Sequence, residues 1–168
     1  MTTDFAQLME QLADREPAVR SEAAQQLARL EHGGRAAALP LVRASVDEDP
    51  EVRDWVVAAL EGVGAPGEGD LDELAALVAD PHVDISYWAA TLLGRAGTAK
   101  PEVIAALARG VRTHQSPQAR RRSAWALGKI GDRSETAREA LLEAAQSDDR
   151  TVAMAARTAL AQIEGEPG

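Results

Sequence analysis

The sequence predicts an all-α fold, an α-α superhelix (solenoid) of five stacked helix pairs. Three observations predict it. Hydrophobic residues make up 45% of the chain and aromatics only 3%, so Ala, Leu and Val supply the apolar mass; strong helix formers dominate, and β-branched runs bounded by turns are absent. Leu27, Leu60, Leu93, Leu127 and Leu160 recur at spacings of 33, 33, 34 and 33. A second column, Leu8, Leu41, Leu74, Leu107 and Leu141, keeps the same cadence. A register held over five copies marks tandem helical hairpins, none of which buries its apolar face alone.

The first pair is predicted at 4–13 and 17–31. Phe5, Leu8 and Leu12 of its first helix turn inward, and Pro17 opens the second where a missing N–H costs nothing. The second pair spans 34–46 and 50–63, with Pro50 as the opener and Gly64 as a left-handed stop. The third covers 70–79 and 83–96 and stops at Gly97. The fourth covers 100–112 and 117–130, with Pro101 and Pro117 in first turns and Gly131 beyond the end. The fifth covers 135–146 and 150–164. Within each second helix, the positions eight, four and one before the column leucine and three after it form one apolar arc. Val19, Val52, Ile85, Ala119 and Val152 open that arc; Leu30, Val63, Ala96, Ile130 and Ile163 close it. The expected organisation is one domain over 1–165, with repeats near 1–33, 34–66, 67–98, 99–132 and 133–165, and a frayed tail at 166–168.

Composition narrows the function. The net charge of −9 argues against a general nucleic-acid binder, whose affinity for phosphate comes from Lys and Arg. The charge is polarised along the chain. Asp47 to Asp84 holds twelve acids against one base, whereas Arg95 to Arg133 holds nine bases against two acids. No apolar run approaches the ~20 residues that span a bilayer. With no cysteine there is no disulfide, thiolate metal site or Cys nucleophile. The N-terminus lacks the pattern of a secretory signal, so the expected location is cytoplasmic.

The segments "DREPAVRSEAAQQL", "DEDPEVRDWVVAALEGVG" and "QARRRSAWALGKIGD" resemble HEAT-like repeats, particularly the phycobilisome-lyase type. The likeness runs over about residues 4–164. It implies a ladder between repeats, built from an Asp in the turn inside each repeat and an Arg early in the second helix. Asp14 with Arg20 and Asp47 with Arg53 match both members. Asp80 stands with Ser86, Arg120 with His114, and the last repeat has Ser147 and Ala153. Pro40 resembles the proline that kinks a HEAT first helix.

On each second helix the positions six, five and two before the column leucine look away from the apolar arc. They collect every Trp and the one Tyr of the chain: Trp55, Tyr87, Trp88 and Trp125, with Thr91, Arg121, Arg122 and Met154. The resemblance implies that second helices line a concave surface, which makes these residues the expected partner-binding set. Aromatics with Arg and Met are what binding hot spots use. Packing between neighbouring repeats is the other reading of the same rings, above all for Trp55 and Trp88.

Other constellations carry less. "GVGAPG" at 62–67 matches a dinucleotide fingerprint by letter but ends a helix instead of following a strand. His32, His82 and His114 fall in turns and read as surface histidines, with no His pair at helical spacing. The His-Glu pairs of the iron-dependent hydroxylase built on such repeats are missing. No catalytic residue, metal or cofactor is expected. The expected function is a non-catalytic scaffold, favoured as a monomer, that holds a protein or peptide of mixed or oriented charge. A ligand holder, either tetrapyrrole-binding and resembling the bilin lyases or chaperone-like, and a nucleic-acid binder using Arg95, Arg121, Arg122, Lys129 and Trp125 are the alternatives.

Overall fold

Proline and glycine punctuate the helices where the spacing placed them. The computed structural model describes residues 4–30 and 34–165; His32 and the tail at 166–168 lie outside these. Among the described residues are ten α-helices and no strand: α1 (Phe5–Leu12), α2 (Pro17–Ala28), α3 (Ala38–Ala44), α4 (Pro50–Gly62), α5 (Leu71–Leu77), α6 (Val83–Ala96), α7 (Pro101–Thr113), α8 (Pro117–Ile130), α9 (Glu135–Ala144) and α10 (Arg150–Glu164). Each of the four predicted prolines occupies the first helical turn. Gly97 and Gly131 take φ of +64° and +73°, a region that costs other residues dearly. The first helices of repeats 2 and 3 are shorter than predicted: the 3-10 segment Gly34–Ala37 takes the first four positions of one and Glu68–Asp70 the first position of the other, and both end two residues early, at Ala44 and Leu77. Pro40 thus sits in the first turn of α3, where its missing N–H breaks no helical bond, and does not kink a longer helix.

The chain divides into two compact units, Met1–Glu68 and Gly69–Gly168. In the first, α2 packs on α4, with α1 and α3 against them. In the second, α6, α8 and α10 form one layer and α5, α7 and α9 the other. Both leucine columns are buried in full. The closing position of the apolar arc is the exception: Leu30 is 40% exposed. It lies beyond the end of α2, where the helical direction that aimed it inward is lost.

One turn geometry recurs in all five repeats with three different acceptors. Asp14, Asp47 and Asp80 each accept through Oδ1 from the N–H two residues on, at 2.9, 3.0 and 2.9 Å. His114 does so through Nδ1 and Ser147 through Oγ, at 3.0 and 3.3 Å. The ladder stands on this turn. Arg20 donates two hydrogen bonds of 2.8 Å to Asp47 of the next repeat, and a third group to the carbonyls of Asp14 and Arg15. Burial alone would raise the Asp47 pKa, but the bonds from Arg20 and the Asp49 N–H hold it below the ordinary carboxylate value. Arg53 repeats the inner half of this pattern, donating to the carbonyls of Asp47 and Glu48. Arg120 instead donates to the carbonyl of Val111.

His114 is not a surface histidine. Because the Ser116 N–H can only donate, Nδ1 must be bare, and Nε2–H therefore donates to the Asp80 carbonyl at 2.9 Å. That carbonyl is the counterpart of the ones Arg20 and Arg53 bind. Ser86 stands where the arginine of this repeat would be and cannot reach it; its hydroxyl donates to Val83. The histidine of the following repeat supplies the missing donor.

Candidate functional site

The second-helix face of the Gly69–Gly168 unit gathers three of the predicted residues into one cluster. Arg122 on α8 reaches across to α6 and donates to the Tyr87 hydroxyl. Its guanidinium carbon lies 4.2 Å from the centre of the Tyr87 ring and 4.7 Å from that of Trp125. Both distances are within the range of a cation–π contact. Arg122 is half-buried, and burial pushes its pKa below the usual guanidinium value. Among the described residues no carboxylate offsets that cost. The rings and one phenol oxygen are its partners.

Local sequence explains how the cluster is held. Trp125 occupies the position two before Leu127, outside the apolar arc, yet is only half exposed because the neighbouring helix offers it a seat. That seat is Gly94: a methyl built there would stand 2.6 Å from Cζ3 of the indole and 3.1 Å from the Ala126 backbone. The absent side chain lets α6 and α8 approach and gives the ring a floor. Trp125 therefore packs with one edge and offers the rest.

Trp88 and Thr91 correct the expectation. Trp88 is 8% exposed and Thr91 2%, so neither is presented to a partner. On α6 the flank that carries Trp88 is turned into the packed interior, where the indole stands edge-on to the Tyr87 ring, centroids 5.4 Å apart. Trp88 positions Tyr87. The Thr91 hydroxyl is spent on its own helix, donating to the Tyr87 carbonyl at 2.7 Å. Trp55, on α4 of the other unit, is half-buried, whereas Arg121 and Met154 are exposed, Met154 by 56%.

The cluster lines a cleft of about 310 Å³ together with Gln118, Arg121, Thr151 and Ala155. In the Met1–Glu68 unit the second helices α2 and α4 form a smaller hollow, about 200 Å³, lined by Ala18, Ser21, Glu22, Gln25 and Glu51. The charged linings differ in sign: two arginines in one, two glutamates in the other. Gln118, Thr151, Ala18 and Glu51 were missed as site residues. All stand nine positions before the column leucine, and nine steps of about 100° end half a circle from it. That column was the most outward of all, and the same periodicity would have found it.

Larger hollows lie elsewhere. One, of about 470 Å³ beside α7, is lined by Pro81, Arg109 and His114; another, of about 490 Å³, by Met9, Leu12, Leu39 and Pro40. Neither brings aromatic rings to a buried cation. No group of three or more His, Cys, Asp or Glu suited to a metal exists among the described residues. No helix among them is long and apolar enough to cross a membrane.

Comparison with known proteins agrees with the repeat. No curated protein matches the chain. Among solved structures, similar folds include an engineered protein, 22% identical over 96% of this chain and 81% of its own, with a TM-score of 0.62. A designed armadillo repeat protein in complex with the peptide (KR)4 is 18% identical over 94% of this chain and 81% of its own, TM-score 0.61. Human deoxyhypusine hydroxylase in complex with glycerol is 20% identical over 96% and 74%, TM-score 0.53. Identities this low speak for the helical solenoid fold alone. A family model described as HEAT repeats matches residues 5–86 and 71–161. The phycobilisome-lyase subtype is not singled out by that match, but the family is plain: the chain belongs to the HEAT repeats.

Proposed function

We propose that this chain is a non-catalytic scaffold that holds a protein or peptide segment on the faces of its second helices. The observation behind the proposal is the Tyr87–Arg122–Trp125 cluster, where two aromatic rings and a cation converge on one open cleft. Such rings bring large contact area at low entropic cost, and arginine adds directional donors; both are enriched at binding hot spots. The peptide held by the designed armadillo protein supports the same use of a helical solenoid here.

The test is partner capture from the native lysate with wild type and the Tyr87→Ala/Trp125→Ala double variant. The variant is expected to remain folded and to lose a captured protein. An unchanged set of captured proteins together with a sharply lower melting temperature would make the rings packing residues and end the proposal.

A further inference from the structure

The Arg122 guanidinium is half-buried and has no carboxylate partner among the described residues. It has five N–H donors, of which one goes to the Tyr87 hydroxyl. Its two ring contacts engage the positive charge but accept no N–H in its plane. Among the described residues it has no other acceptor, although it is half-buried and burial disfavours its charged form. A planar fork held by rings, with donors left over, is the arrangement that matches a carboxylate bidentately. The rest of the lining agrees. Arg121 is the other charged residue of the lining, which carries two positive charges; the Asp149 carboxylate, bound by the Thr151 hydroxyl, faces Arg121 from beside the cleft and leaves Arg122 without a carboxylate. Gln118 and Thr151 add neutral polar groups on α8 and α10, and the exposed Met154 adjoins Ala155 as an apolar neighbour.

We infer that this cleft takes an acidic side chain, Asp or Glu, from a protein segment, with an adjoining apolar side chain laid against Trp125 and α10. The inference deepens the scaffold reading and rests on it. Arg122 forms the ion pair, Tyr87 and Trp125 fix the guanidinium plane, and Arg121 adds charge from the rim.

The test uses the full chain and a fluorescein-labelled decapeptide alternating Glu and Leu, followed by anisotropy. Matched peptides replace Glu with Gln, Lys or phosphoserine, and a short single-stranded DNA serves as a further probe. The Glu peptide is expected to bind, with the Gln peptide at least about tenfold weaker, the cost of leaving a charged donor unmatched. Arg122→Gln should lose the Glu peptide by a similar factor, while Tyr87→Phe, which keeps the ring and frees one N–H, should retain it. The peptide comparison needs no variant, so a folding defect in Arg122→Gln does not blunt it. Equal binding of the Glu and Gln peptides, or a preference for Lys that vanishes in Trp125→Ala, overturns the acidic occupant and leaves the scaffold standing. Tighter binding of phosphoserine or DNA overturns it in favour of a phosphate ligand. Binding of none overturns it as well, and lysate capture then decides the scaffold reading separately.

Discussion

Gly94→Ala is a one-methyl change whose sign separates the helix from its neighbour. In an isolated helix the substitution stabilises by about 1 kcal/mol, because alanine loses less backbone freedom on folding. In α6 the new Cβ stands 2.6 Å from Cζ3 of Trp125 and 3.1 and 3.2 Å from Cα and Cβ of Ala126. Ordinary carbon contacts need about 3.5–4.0 Å, so the indole must retreat by roughly 1 Å or α6 and α8 must part. Overpacking of this kind costs about 1–3 kcal/mol. The net expectation is a loss of up to about 2 kcal/mol, or a melting temperature lower by up to about 8 °C for a chain of this length.

The assay is calorimetry in a four-way cycle with Trp125→Leu, read beside tryptophan emission. Without the indole, part of the clash disappears, and Gly94→Ala should cost about 1 kcal/mol less than it does in wild type. Emission should shift to the red only where Trp125 is present, because that ring is lifted off its seat. A higher melting temperature for Gly94→Ala alone would refute the seat. So would an identical cost with and without the indole.

Other expectations test other parts of the structure. Asp47→Asn should lower the melting temperature and flatten its acid dependence. The native carboxyl titrates below its ordinary value of 3.8, so its stabilisation is complete above that value and is lost as pH falls through the depressed one; pH-dependent melts from pH 6 to about 2 measure it. Leu127→Ala, at a position with no exposure, should cost about 2–5 kcal/mol by denaturant unfolding. Leu142→Ala should cost less than about 0.5 kcal/mol. Leu142 is 48% exposed, although its counterparts Val42, Ala75 and Ala108 are buried. His114→Asp should destabilise by removing the donor to Asp80, and adding Ser86→Arg should recover part of the loss by rebuilding the Arg20–Asp47 arrangement. A double variant no more stable than His114→Asp alone would contradict that.

The fold was legible because helix punctuation and leucine spacing are local. Pro17, Pro50, Pro101 and Pro117 needed no tertiary information to be placed in first turns. The site was legible in part. Helical geometry brought Tyr87, Arg122 and Trp125 to one outward set, but it could not see that Trp88, in the same set, turns inward. A residue on the flank of a helix is buried or open according to what its neighbours leave beside it, and a single-helix projection contains no neighbours. Gly94 was hidden for the same reason. A glycine before a helix stop reads as weak helix, and only the ring opposite reveals it as a seat.

Repeats 3 and 4 join differently from repeats 1 and 2, and the difference falls where the site is. Between repeats 1 and 2 a paired arginine and aspartate tie the turns together through Arg20 and Asp47. Between repeats 3 and 4 the turns keep one neutral hydrogen bond, His114 to Asp80, while an arginine crossing appears further along the second helices, Arg122 to Tyr87. A neutral bond is weaker than a bidentate ion pair, so the join between α6 and α8 depends more on the Gly94 seat and on the Tyr87–Arg122–Trp125 cluster. The groups that would receive a partner are thus the groups that hold two repeats in register. A carboxylate drawn to Arg122 would tighten that register, and Gly94→Ala, which lifts Trp125 off its seat and loosens the register, should weaken binding of the Glu peptide.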